Sequence, residues 1–288
     1  MRIPAEVEVL DDRVRDLRTD STLAVHYRRG RWLEGPAYSV QGRHLLFSDI
    51  PSDVVLRLDL ASGRVSEFDR PARFANGRTF DAQGRVVTCL HGARAVVRRE
   101  HDGSESVLAD SFDGGRLNSP NDVVVDSAGD VWFTDPTYGI VSDYEGHAAP
   151  SEQPVCGVYR RHEADGRLEL VTGAFDQPNG LAFSRDESVL YVVDSGRDTL
   201  SVLDPTGEGI RELVAGRGFD GIRIDPAGRI WAATYAGVSC FDAEGVELLR
   251  IALPERASNL CFGGLRGNEL FVTATTSLYS LRLSVTGV

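Results

Sequence analysis

Apolar and polar residues in this chain follow one sentence that is repeated along its length. At Gln177-Pro178-Asn179-Gly180-Leu181-Ala182-Phe183-Ser184 a turn delivers one polar residue and an alternating strand. A polar turn follows, then a more apolar strand ending in an acid, Leu190-Tyr191-Val192-Val193-Asp194. The polar heads are Glu34-Gly35-Pro36, Asn76-Gly77, Asn121-Asp122, Asn179-Gly180, Asp220-Gly221 and Asn259-Leu260, spaced by 42, 45, 58, 41 and 39 residues. After each head comes an Asp, Gly or Pro turn such as Asp81-Ala82-Gln83-Gly84 or Asp225-Pro226-Ala227-Gly228, residue types that supply turn geometry and local hydrogen bonds. The second strands, among them Val131-Trp132-Phe133 and Ile230-Trp231-Ala232, are the most apolar, and third strands such as Leu200-Ser201-Val202-Leu203 often follow.

Six units of roughly 40–45 residues, each with three or four short strands, have the period of a β-propeller blade. A sandwich would not repeat its heads so regularly, a solenoid usually has a shorter period, and no amphipathic helix of convincing length appears. The sequence therefore predicts an all-β, six-bladed β-propeller, one domain over 1–288. Residues 1–30 are a lead-in that could close the fold with an outer strand, and the long third interval marks a loop insertion at 138–154. That Gly-, Ser-, Pro- and acid-rich stretch is expected to shape a substrate pocket.

In a propeller the innermost strands surround a central channel, so the six heads should form a ring at one mouth: Glu34, Asn76, Asn121, Asn179, Asp220 and Asn259. Asp49, His91, Asp135 and Asp194, which end second strands, are expected to approach the same mouth from further out. A ring of carboxylate and amide oxygens suits a hard divalent cation. Asn-Gly and Asp-Gly are also plain turn formers, which is the other reading of any single head. Six heads in phase, the first a glutamate before Gly-Pro, favour a metal site at the mouth.

Composition narrows the classes. The 288 residues carry 31 Lys and Arg against 43 Asp and Glu, a net charge of −12, which argues against a nucleic-acid or anionic-membrane partner. Cys89, Cys156, Cys240 and Cys261 show no CxxC spacing, and three lie in apolar runs where a reduced buried thiol is the default. No apolar run is long enough for a signal peptide or a membrane span, so the expected location is cytoplasmic. Ser184, Ser195 and Ser258 sit in no GxSxG elbow, and no GxGxxG opens a helix. His91 is either a mouth-lining acid or base or a structural residue, and Trp132 and Trp231 read as core. The sequence does not indicate an oligomeric state.

Leu33-Glu34-Gly35-Pro36, Phe47-Ser48-Asp49-Ile50-Pro51, Leu117-Asn118-Ser119-Pro120-Asn121-Asp122, Trp132-Phe133-Thr134-Asp135-Pro136, Gln177-Pro178-Asn179-Gly180 and Cys261-Phe262-Gly263-Gly264 resemble motifs of the regucalcin (senescence marker protein) and gluconolactonase family, in order, over about residues 30–280. The resemblance implies a six-bladed propeller with one divalent cation in its channel, Ca²⁺ first, with Mg²⁺, Mn²⁺ or Zn²⁺ as alternatives. It implies hydrolysis of a small sugar lactone. By motif, Glu34, Asn179 and Asp220 would be the metal ligands, with Asp220 also the base or the residue that orients water. Many relatives have Pro-Asp-Gly where this chain has Phe219-Asp220-Gly221. Asn121 would contact substrate or water, and Arg116 and Asn118 would contact substrate. Rival readings on the same scaffold are aryl-ester or phosphotriester hydrolysis, a biosynthetic condensation, or a non-enzymatic calcium-binding protein. The retained Glu34, Asn179 and Asp220 argue against the metal-free branch.

Overall fold

Short strands whose two faces are both apolar must be covered on both sides, and the chain achieves this by packing small antiparallel sheets face to face in a ring. The structure, a computed structural model, describes residues 1–17 and 19–284. Arg18 and the last four residues of the expected 1–288 unit lie outside them. Six antiparallel sheets are arranged as a six-bladed β-propeller. Blades 1 to 6 have as innermost strands Leu33–Ser39, Ala75–Phe80, Val123–Val125, Pro178–Phe183, Ile222–Ile224 and Ala257–Gly263, and each of these strands contacts the next around the channel.

The second strands are buried from end to end in blades 3, 4 and 5: Val131–Asp135, Leu190–Asp194 and Ile230–Thr234. That burial explains why they are the most apolar runs in the sequence. The core is divided into interfaces between neighbouring blades. Val87, Cys89 and Val96 of blade 2 pack on Val131, Phe133 and Tyr159 of blade 3. Trp132 packs on Leu181 and Leu190 of blade 4, and Trp231 on Leu260 and Val272 of blade 6. Trp132 and Trp231, at matching positions, each donate Nε1–H to a turn aspartate, Asp126 at 2.8 Å and Asp225 at 2.9 Å. The four cysteines are free thiols, and Cys89, Cys240 and Cys261 are buried.

The N-terminal segment completes two blades. Thr22–Tyr27 pairs antiparallel with Ser277–Arg282 as the fourth strand of blade 6, and Arg2–Pro4 adds a fifth. Glu6–Val9 pairs with Glu247–Ala252 at the rim of blade 5. The first and last parts of the chain thus share one sheet. Residues 138–154 run between Val131–Asp135 and Gly157–Arg161 of blade 3 without regular strand or helix. No described helix is long and apolar enough to cross a membrane.

Behind the mouth, Asp49, Asp135 and Asp194 have a role that the sequence did not assign: each caps the backbone leading into its own blade's innermost strand. Asp49 accepts from the Arg31 and Trp32 N–H groups, Asp135 from Asn118, and Asp194 from Asp176 and Gln177, at 2.8–3.2 Å. The reason is geometric: a residue ending the second strand lies beside the loop that precedes the first, where unpaired N–H groups need an acceptor. His91 is likewise structural. It is fully buried and bridges the Asn76 amide (3.1 Å) and the Glu145 carbonyl (3.0 Å). Burial pulls its pKa down to about 4.

A candidate metal centre at one mouth of the channel

The head residues meet as a ring because the residue after most of them is glycine. A Cβ on Gly35, which has φ +50°, would stand 2.1 Å from the Asn76 carbonyl oxygen, and one on Gly180 would stand 2.4 Å from that of Asp220. Neighbouring innermost strands therefore approach backbone to backbone. Gly77 donates its N–H to the Asn121 carbonyl at 2.8 Å. Thr134 Oγ1 donates to the Asn179 carbonyl at 2.8 Å, and Asn259 Nδ2 donates to Glu34 Oε2 at 3.1 Å, closing the circle.

Above the ring lies a cavity of about 190 Å³ lined by Trp32, Glu34, Asn76, Asn121, Tyr138, Glu145, Asn179, Ser195, Asp220 and Arg256. Glu34 is 4% exposed and Asp220 5%. Glu34 Oε2 is fixed by the Gly35 N–H (2.7 Å) and by Asn259, while Oε1 has no donor among the described residues. Burial, then the charge of Asp220, pushes the Glu34 pKa well above the usual carboxylate range. Burial likewise pushes Asp220 up to about 7, although Arg256 and the Asn179 amide act in the opposite direction. Asn179 donates Nδ2 to Ser195 Oγ at 3.0 Å, and Ser195 donates onward to the Phe219 carbonyl at 2.9 Å. Among the described residues no donor reaches the Asn179 Oδ1, and the Asn76 Oδ1 is buried without a partner.

This donor set fits a hard divalent cation. Glu34 and Asp220 are two buried carboxylates, the charge of Asp220 raising the Glu34 pKa, and a cation would neutralise their like charge; the neighbouring free acceptors are oxygens rather than nitrogen or sulfur. Among the described residues no group of three or more His, Cys, Asp or Glu side chains converges, so amide oxygens would have to share the coordination. A larger cavity, about 470 Å³, opens at the opposite ends of the same strands. Its two acids are already engaged, Asp81 with Arg85 at 2.7 Å and Glu187 with the Ser127 hydroxyl at 2.6 Å, so it offers no comparable acid centre.

Of the residues singled out from sequence, Glu34, Asn121, Asn179 and Asp220 are brought together here. Arg116 and Asn118 are not. Arg116 is exposed and donates to the Ala93 carbonyl at 2.8 Å. Asn118 is fully buried, its amide donating to the carbonyls of Asp135 and Val155 and accepting from Ser151. Both lie ahead of the third head, where the loop turns away from the cavity to anchor residues 151–155. Sequence reasoning missed Trp32, Tyr138, Glu145, Ser195 and Arg256. Trp32 and Arg256 stand two and three residues ahead of heads, a position whose direction no repeat pattern encodes. Tyr138 and Glu145 come from the inserted loop, whose expected contact with the site is seen. Burial raises Glu145 to about 7 and Tyr138 well above its ordinary value.

A six-bladed propeller with carboxylate and amide oxygens converging at one channel mouth is the class that fold and site define. Within it, the chain belongs to the SMP-30/Gluconolactonase/LRE-like family, which matches residues 32–276. The gluconolactonase of Zymomonas mobilis is 32% identical over 289 residues, covering 89% of this chain and 80% of its own length. Regucalcin of Sus scrofa is 29% identical, covering 83% and 82%. The structure of a gluconolactonase from Xanthomonas campestris aligns with a TM-score of 0.91 at 34% identity, over 98% of this chain and 97% of its own.

Proposed function

We propose that the protein is a metal-dependent lactonase that opens a small sugar-type lactone by hydrolysis. The observation that carries this reading is the pair of buried, mutually repelling carboxylates, Glu34 and Asp220, beside the free Asn179 oxygen in a cavity of lactone size. The similarity to gluconolactonases supports the ester chemistry.

Glu34, Asn179 and Asp220 would hold one divalent cation, Ca²⁺ in first place because the donors are oxygens only. Bound there, it supplies Lewis-acid polarisation of the ester carbonyl. Asp220, with a pKa near neutrality before a cation is bound, takes the proton of the attacking water. Asn121, 6% exposed and lining the cavity, has an amide free to orient that water or a sugar hydroxyl. Tyr138 and Glu145 narrow the entrance and exclude bulk solvent.

A panel of small lactones followed by a pH indicator tests the reading. Turnover of at least one ring by wild type, abolished in Glu34→Gln, is expected. A fully metal-loaded wild type that opens no lactone would refute it and move the assignment to another ester or a binding role.

A further inference from the structure

Arg256, half-buried with its side chain 32% exposed, differs from the buried arginines because its hydrogen-bond donors are unspent. Arg94 gives its Nε to the Leu117 carbonyl at 2.6 Å and Nη1 to Glu152 at 3.1 Å. Arg78 donates to the Gly35 carbonyl and Ser48. Arg256 lines the acid cavity, yet no acceptor among the described residues takes its guanidinium, and its Nε is buried without a partner. Its ion-pair contact is Asp220 at 3.9 Å, beyond hydrogen-bond range.

Two aromatic faces hold it instead. The guanidinium carbon lies 4.2 Å from the Tyr235 ring centre and 5.7 Å from that of Trp32. Cation–π contacts fix the plane of the group while leaving its N–H edge available. An arginine held by its faces and open at its edge is prepared for a planar, two-oxygen anion.

The lactone reading, on which this inference rests, makes such an anion within reach of Asp220. The water oxygen bonds to the carbonyl carbon, the π pair moves onto the carbonyl oxygen, and the water proton passes to Asp220. Collapse breaks the ring C–O bond, and the ring oxygen leaves as a hydroxyl with that proton. The acid then releases a proton to solvent and becomes a carboxylate. We propose that Arg256 receives this charge, first as the oxyanion and then as the product carboxylate. It is therefore a further catalytic residue and the site of product retention. A neutral lactone carries no such charge in its ground state, so the interaction acts on kcat rather than KM.

The test compares wild type with R256Q and R256K, using glucono-1,5-lactone for turnover and gluconate for binding. R256Q should lower kcat by about 100-fold with KM nearly unchanged, in the range for losing one oxyanion donor. Added guanidinium should restore part of the rate in R256A. Gluconate should bind R256Q more weakly than wild type, read by tryptophan fluorescence with and without Ca²⁺, and inhibit it less. Unchanged kcat, or equal gluconate affinity, would overturn the assignment. If wild type opens no lactone, the functional reading fails, and the gluconate comparison still decides the role of Arg256. If R256Q melts early, R256K decides: it keeps the charge but loses the fork, so full retention of both kcat and gluconate affinity counts against the proposal.

Discussion

Glu34 is held by Asn259, and the two residues separate a ligand from its support. If Glu34 binds the cation, Asn259→Ala should weaken metal affinity by roughly 10–100-fold, the cost of losing a supporting partner. Glu34→Gln, which removes the charge itself, should weaken it further. Calorimetric titration with Ca²⁺ checks the order; equal or reversed losses would mean that Glu34 is not a ligand. Asp135 offers a test away from the site. Burial raises its pKa from 3.8 to about 7, and its Oδ1 has no partner among the described residues. An acid raised in this way stabilises the fold at low pH, and the contribution is lost as pH rises from about 4 through about 7. Relative to Asp135→Asn, wild type should therefore gain about 2 kcal/mol between pH 8 and pH 5, measured as paired denaturant melts. A constant difference would contradict it. At this scale the sequence showed the oxygen heads, because they recur in phase. It could not show that Asp49, Asp135 and Asp194 serve backbone N–H groups, since a strand-ending aspartate looks the same whether it caps a loop or faces a channel.

Four of the six innermost strands approach their neighbours through a glycine that follows the head. Gly180→Ala would set a Cβ against the Asp220 carbonyl and the Gly221 Cα, at 2.4 and 2.8 Å. Backbone cannot give way as a side-chain tip can, so a loss of about 2 kcal/mol or more is expected, together with weaker metal binding because Asp220 must shift. Thermal melts and Ca²⁺ titration of this variant check both parts; a stable, tightly binding G180A would show that the ring tolerates separation. The strand order was legible from hydrophobic runs, and the 58-residue interval placed the insertion. Which loop residues reach the cavity was not readable, because that depends on pins such as the His147 N–H to the Gly139 carbonyl at 3.0 Å and His91 to Glu145. Nor was the joining of blades by residues in the left-handed region. Asp53 (φ 51°) accepts from the Phe74 N–H, and Asp198 (φ 53°) from those of Gly218 and Phe219.

As a whole, the ring is closed by its N-terminal segment. Leu23 and Val25, with Val14 and Leu17, belong to the core between blades 5 and 6. Deleting residues 1–27 should strip the outer strand from blade 6, expose its hydrogen-bonding edge and cause aggregation or a large fall in melting temperature. Soluble yield and calorimetry measure this, and a truncated protein as stable as the full chain would contradict it. The sequence hinted at this role only weakly, since the strands of the lead-in are short, charged and half exposed. The propeller itself was legible because six similar units leave little choice of architecture.

The acid centre at the channel mouth is the central claim, and metal removal tests it most directly. The protein is stripped with EDTA until elemental analysis finds no divalent metal, then refilled separately with Ca²⁺, Mg²⁺, Mn²⁺ or Zn²⁺. Lactone hydrolysis is expected to fall to the uncatalysed rate on stripping and to return with at least one ion. Full activity in the verified metal-free protein would contradict the account.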